Sequence, residues 1–189
     1  MHVTTHHLQM LAPPGHSASP LPEGVRLERA TGMTPAYARF LYALVGGDWF
    51  WLDRLPWSQQ QWLDEIETPG SEFWVLYREG VPAGFVQLHP TIEEDGTHIE
   101  VLHFGLAPRA IGMGLGRGML EHAIDRAWSL SERFELPPVT RVWLHTCSND
   151  GPAALANYTA RGFEVFKVVE SEEDAPATSP GAWAILGGR

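Results

Sequence analysis

Glycines occupy the alternate positions 112, 114, 116 and 118 in the segment LAPRAIGMGLGRGML, residues 106–120, between an apolar run that reads as a strand and a run with helical period. Glycine tolerates positive φ and lets a ligand approach the backbone, and the free N–H groups at a helix N-terminus attract anions. The segment is therefore suited to a phosphate-bearing ligand. A Walker-type nucleotide loop is excluded, because no Lys follows any of these glycines. The dinucleotide fingerprint G-x-G-x-x-G also fails: counted from Gly112 its last glycine falls on Arg117, and counted from Gly114 it falls on Met119.

Other side chains could move protons or form covalent bonds. His98, His103 and His145 lie in apolar runs and are candidates for proton transfer, although an isolated strand histidine more often serves packing. Cys147 is the single cysteine. The sequence pairs it with no His–acid relay, so it reads as a small buried hydrophobe rather than an acyl-carrying nucleophile. One cysteine also excludes an intramolecular disulfide and suits a reducing cytoplasm. His2, His6 and His7 have no Cys or carboxylate partners at metal-ligand spacing, and no metal site is expected.

The elements that must position these residues follow from periodicity. Residues 1–23, rich in Pro, Ser and His, read as a flexible arm, and the domain is expected to span 24–189. Residues 24–30 read as a strand, and Thr34 or Pro35 opens a helix that Gly46-Gly47 ends. Ser58 is a candidate N-cap for a second helix, and the aromatics Trp49, Phe50, Trp51, Trp57 and Trp62 either close a core or line a pocket. Residues 73–80 and 81–90 read as a hairpin turning at Glu79-Gly80, and 97–106 continues the meander. A helix to about residue 130, a strand at 140–147, a short helix within 152–161, a strand at 163–169 and a last strand at 182–186 complete the reading, without internal repeats.

Two segments resemble the GNAT superfamily of N-acetyltransferases. That family's pyrophosphate loop, [QR]-x-x-G-x-[GA], is similar to Ile111-Gly112-Met113-Gly114-Leu115-Gly116, with Ile111 replacing the usual Gln or Arg. A second register, from Arg109 to Gly114, restores the Arg; the first is preferred because the family contact runs mainly through backbone N–H groups. Downstream, Tyr158-x-x-x-Gly162-Phe163 matches the family's Y-x-x-x-G-F spacing, while Asn149 lies two residues further from the Tyr than is usual. The resemblance covers roughly residues 24–186. It implies an α+β, three-layer fold: a central, mostly antiparallel mixed sheet, splayed between the fourth and fifth strands, with helices on both faces.

It also implies a chemistry and a set of residues. Acetyl-CoA would be bound by Phe104, Gly105, Leu106, Ile111, Gly112, Met113, Gly114, Leu115, Gly116, Arg117, Asn149, Ala154, Asn157 and Tyr158, and would acylate a primary amine directly. Glu100 is the expected base, since many members place a Glu there, and its even spacing from Leu106 puts both on one strand face. Tyr158 resembles the family's general acid. Asp48, Trp49, Trp51 and His89 fall in segments that line the acceptor side in similar proteins, where acids and rings suit a cationic amine of a small molecule or peptide. Alternatives are a CoA-binding sensor or assembly module without catalysis, and an acyltransferase taking a longer acyl chain.

Composition is consistent with an enzyme in water. Of 189 residues, 44% are hydrophobic and 19% charged, which excludes global disorder. Thirteen basic against 23 acidic residues give a formal net charge of −10, a field that repels phosphate backbones and anionic headgroups. Neither nucleic acid nor membrane is an expected partner, and no apolar stretch approaches the roughly 18 residues of a membrane span. An unpaired strand edge near the C-terminus would suit a homodimer.

Overall fold

The computed structural model describes residues 1–187. In chain order, β1 (His2–Met10) and β2 (Val25–Arg29) precede α1 (Pro35–Gly46) and α2 (Gln59–Ile66). Next come β3 (Glu72–Arg78), β4 (Val81–Glu93), β5 (Gly96–Leu106) and α3 (Leu115–Trp128). The chain continues through β6 (Val139–Cys147), α4 (Ala154–Thr159), β7 (Glu164–Glu172) and α5 (Gly181–Ile185). All seven strands form one sheet in the order β2-β3-β4-β5-β6-β1-β7, antiparallel at every junction except the parallel β5–β6 pair.

Local chemistry sets the element ends. Thr34 accepts a hydrogen bond from the Tyr37 amide at the start of α1, and Ser58 forms a reciprocal capping box with Gln61 at the start of α2. Glu79 and Gly80 both take positive φ, 54° and 79°, the backbone that a two-residue hairpin turn with right-handed strand twist requires.

The sheet separates two apolar layers. On one face Leu8, Leu88, Ile99, Val101 and Leu144 pack with Leu120, Ala123, Ile124 and Ala127 of α3. On the other, Phe73, Val75 and Phe85 pack with Leu41, Tyr42 and Val45 of α1 and Trp62 of α2. Each fully buried large side chain contributes about 1.5–3 kcal/mol, which is what holds the layers against the sheet. Glu72, whose side chain is fully buried, ties β3 to its surroundings by accepting from Arg133 at 2.7 and 2.8 Å and from Trp74 Nε1 at 3.1 Å, with Arg29 at 2.8 Å.

Three features depart from the sequence reading. The expected flexible arm contains β1, which inserts between β6 and β7, with Val3 and Leu8 fully buried. The bulge in the β1–β7 pairing belongs to β7, where Phe166 is the extra residue between the His7–Lys167 and Leu8–Val165 pairs. β1 itself alternates without a break, so Val3 and Leu8, five positions apart, point to opposite faces and both faces of the strand are covered. The following segment crosses α3: the Ser19 amide donates to Glu121 Oε2 at 3.0 Å, and Leu21 packs over Gly118. The run 182–186, expected as a strand, lies instead in and just after α5, which packs on the C-terminal end of α1, where the Gly181 amide donates to the Gly47 carbonyl at 3.2 Å. The seventh strand thus comes from the N-terminal end of the described chain. The third departure is a bulge within β5, at Leu102. Among the described residues, no helix is long and apolar enough to cross a membrane.

Candidate active site

The parallel β5–β6 pair is bonded only from Thr97 to Glu100 against Val139 to Trp143. Beyond that point β5 stays paired to β4 as far as Leu106, while β6 runs on to Cys147 without it. Leu102 marks the parting: Leu88 pairs with Val101 and Gln87 with His103, so Leu102 is an extra residue in β5. A bulge sharpens local twist and bends the strand, which is how one strand turns away from a neighbour. The opening is a cleft of about 780 Å³.

One end of the cleft is the glycine-rich turn. After a short 3₁₀ turn at Pro108–Ala110, Gly112 and Gly114 take φ of 81° and 74°, and α3 starts at Leu115 with Gly114 as its cap. Gly114 supplies no side-chain acceptor, so the first-turn amides of α3 remain available, at the positive end of a 14-residue helix. Positive φ thus falls on the two glycines of the register that begins at Arg109, while Gly116 lies within the helix. Arg117 also lines the cleft and pairs with Glu121 at 2.9 Å.

The cleft brings together Phe104, Gly105, Leu106, Ile111, Gly112, Gly114, Gly116, Arg117, Asn149, Ala154, Asn157 and Tyr158 of the expected cofactor set. Met113 and Leu115 are not on its wall. Met113 Sδ meets Arg78, and Leu115 is buried with Met119 and Leu76 beneath the loop. Of the expected acceptor residues Trp49 and Trp51 line the cleft, and the Trp49 ring packs near Gly151 on the opposite bank. Asp48 lies beside Gly181 instead, and His89 sits behind the wall, 3.2 Å from Glu65.

Glu100 stands one residue back from the cleft. Its carboxylate approaches His145 Nδ1 at 3.3 Å, and the His145 side chain, 46% exposed against 15% for Glu100, lines the opening. The bulge also overturns the expected shared face: Leu106 packs with Leu115 and Met119 under α3, whereas Glu100 alternates with Ile99 and Val101, which face α3, and so points to the α1–α2 side. The Glu100 contact raises the His145 pKa against the opposing effect of burial, with smaller help from the charges of Asp150 and Asp53. Burial, then the Asp150 charge, pushes the Tyr158 phenol up, so it stays protonated at neutral pH. Burial likewise raises the Cys147 thiol and keeps it from acting as a thiolate. Asp53, Arg54 and Asp150 line the cleft as well. Neither periodicity nor a motif pointed to Arg54 or Asp150, because loops between elements bring them there.

A search of curated proteins finds no match. Solved structures share the fold. A GCN5-related N-acetyltransferase from Sphaerobacter thermophilus superposes with a TM-score of 0.60 at 16% identity, over 90% of this chain and 51% of that one. A GCN5-related N-acetyltransferase from Kribbella flavida gives 0.57 at 20%, over 88% and 56%. A putative acetyl transferase from Pyrococcus furiosus gives 0.52 at 17%, over 80% and 99%. The chain thus spans about half the length of the first two. A sequence model of the Acetyltransferase (GNAT) family matches residues 38–163, two thirds of the chain and the stretch that carries α1 through α4 and most of the cleft, so the chain belongs to that family.

Proposed function

We propose that the chain transfers an acetyl group from acetyl-CoA to a primary amine of a small molecule or peptide, by direct attack with both substrates bound. The observation that carries this reading is the continuity of one cleft, from the α3 N-terminus along the parted strands to the His145–Glu100 pair. Its parts fit the donor. Left-handed glycines and uncapped helix amides at 112–117 suit a pyrophosphate, and the β5 edge freed at 101–106 has backbone groups to offer an extended amide-bearing arm. Asn149, Ala154, Asn157 and Tyr158 form the facing bank. Acetyl-CoA supplies the activated thioester carbonyl.

The residues then divide the work. An alkylammonium, with a pKa near ~10, must lose a proton before its nitrogen can attack. His145 is the group in the cleft suited to take it: Nδ1 faces Glu100, which leaves Nε2 for the amine. Glu100 is then a positioning residue that acts through the imidazole. Tyr158 keeps a phenol proton to give to the departing sulfur. His145 passes that first proton to water. As the N–C bond forms and the C–S bond breaks, the second nitrogen proton goes to His145 and sulfur takes one from Tyr158. The imidazolium and phenolate then reset by proton exchange through water, so that one proton is released per acetyl group transferred. The free thiol of Cys147 suits a reducing, cytoplasmic setting.

Calorimetric titration with acetyl-CoA and CoA, followed by a thiol-release assay over a panel of amines, tests the reading. Saturable binding with amine-dependent thiol release is expected. Absence of acetyl-CoA binding overturns it.

A further inference from the structure

A buried polar chain crosses the sheet beside the cleft, and acyl transfer as described leaves it unused. Gln87 Nε2 donates to Glu65 Oε1 at 2.7 Å, and Gln87 Oε1 lies 2.9 Å from Nδ1 of His103, its cross-strand partner. Burial opposes ionisation of Glu65, but His89 at 3.2 Å, the Arg54 charge at 3.6 Å and the Gln87 bond outweigh it and hold the carboxyl below its ordinary value. Glu65 is therefore a carboxylate and only accepts. That turns the Gln87 amide NH₂ toward Glu65 and its carbonyl toward His103, which must then donate from Nδ1. A neutral imidazole has one N–H, so Nε2 holds a lone pair.

His103 is 8% exposed and lines the cleft, and the described residues give Nε2 no partner. The ring is confined by Tyr42, Trp51 and Phe85, at centroid distances of 5.2, 5.1 and 6.1 Å. Burial, then the charges of Arg54, His145 and His89, holds its pKa well below the ordinary value. The two cleft histidines are thus pushed apart: His145 is poised to hold a proton, while His103 resists a second one, so its Nε2 can only accept a hydrogen bond. The wall next to it is aromatic, with Tyr42, Trp49, Phe50 and Trp51 all on the cleft, and Phe50 is held there at a φ of 60°, a conformation that costs a non-glycine residue energy.

Resting on the acetyl-transfer reading, we propose that His103 Nε2 accepts a hydrogen bond from the N–H of the acceptor while the four rings receive its body, so that the acceptor is a primary amine on a flat aromatic carrier. An acceptor without an N–H would cover that lone pair and exclude water from it without matching it, which is the basis for discrimination.

Two-bond ¹H–¹⁵N correlation spectra of the whole protein read the His103 tautomer directly, with phenethylamine, butylamine and trimethylphenethylammonium as probes. The expected result is an Nδ1–H, Nε2-bare ring at neutral pH, an Nε2 resonance that moves with phenethylamine but not with the trimethylammonium, and loss of the fixed tautomer in Gln87→Leu. In thiol-release assays the KM for phenethylamine should lie about tenfold below that for butylamine, and His103→Phe should raise it about tenfold with the Kd for acetyl-CoA unchanged. An Nε2–H tautomer, an Nε2 resonance indifferent to phenethylamine, or equal KM values for the two amines overturns the proposal. Because the spectra need neither turnover nor a variant that folds, they decide on His103 even if acetyl-CoA fails to bind, an outcome that would overturn only the transferase reading.

Discussion

At the scale of single residues, the Glu100–His145 contact is what, in the proposed reaction, decides how the amine loses its proton. The imidazole must be neutral to act as base, so the rate rises with pH through the His145 pKa. Glu100 raises that pKa. Glu100→Gln is therefore expected to move the acid limb of the kcat/KM profile to lower pH while also lowering the plateau, because the ring loses its orienting partner. His145→Ala should lower the plateau further, by about 10²-fold, as removal of a general base does. A pH–rate profile unchanged in His145→Ala would return the role of base to Glu100. The sequence showed both residues, one through resemblance and one as a strand histidine, but not their order. Counting residues in twos assumes an unbroken pleat, and the extra residue at Leu102 reverses the count between Glu100 and Leu106.

At the scale of elements, the most legible parts were those whose ends carry local chemistry. Thr34, Ser58 with Gln61, and Glu79-Gly80 each set a boundary by hydrogen bonds or by φ within a few residues, and these were readable from residue type alone. The first strand was not. Its apolar residues Val3, Leu8 and Met10 do not share one parity, because both faces of the strand are covered, and its partners lie at residues 142–147 and 164–172, far along the chain. The run 182–186 misled for the opposite reason: a short apolar stretch has no period of its own, and the approach of Gly181 to Gly47 sets it as a helix. Gly114 joins strand chemistry to helix chemistry. Its φ of 74° is costly for a β-branched residue, and no atom lies within 4 Å of a Cβ there, so Gly114→Val adds strain and a side chain over open amides without a clash. Acetyl-CoA affinity should fall about tenfold or more, for a strain of roughly 1–2 kcal/mol in stability, as isothermal titration and urea melts would show; equal affinity would remove the loop from the donor site. Glu72 holds β3 to Arg133 in a different way. Glu72→Gln leaves two guanidinium groups short of their counter-charge and should cost about 3 kcal/mol, seen as a lower urea midpoint with an unchanged slope.

At the scale of the whole molecule, the sheet has a weak line through its middle, where four residues of β5 hold the only ladder to β6 and the cleft begins. On the far side, β6, β1 and β7 form one bank, and β1 is its centre strand, hydrogen-bonded along both edges. Without β1, β7 has no neighbour in the sheet and β6 keeps only its short parallel contact. The side chains of Val3, Leu8 and Met10 also leave the core, and at about 1.5–3 kcal/mol apiece they represent a large share of the roughly 5–15 kcal/mol that stabilises a domain. Removal of residues 1–10 is therefore expected to release the β6–α4–β7 bank while the β2–β5 meander with α1, α2 and α3 keeps its layers. Hydrogen exchange should show lost protection at 139–172 and retained protection at 72–106. Acetyl-CoA binding should fail in the same variant, because Asn149, Ala154, Asn157 and Tyr158 all stand on the released bank, although no residue of β1 lines the cleft. Full protection of β7 after the deletion would mean that the far bank stands without its centre strand, and that the cleft depends on the β5–β6 contact alone.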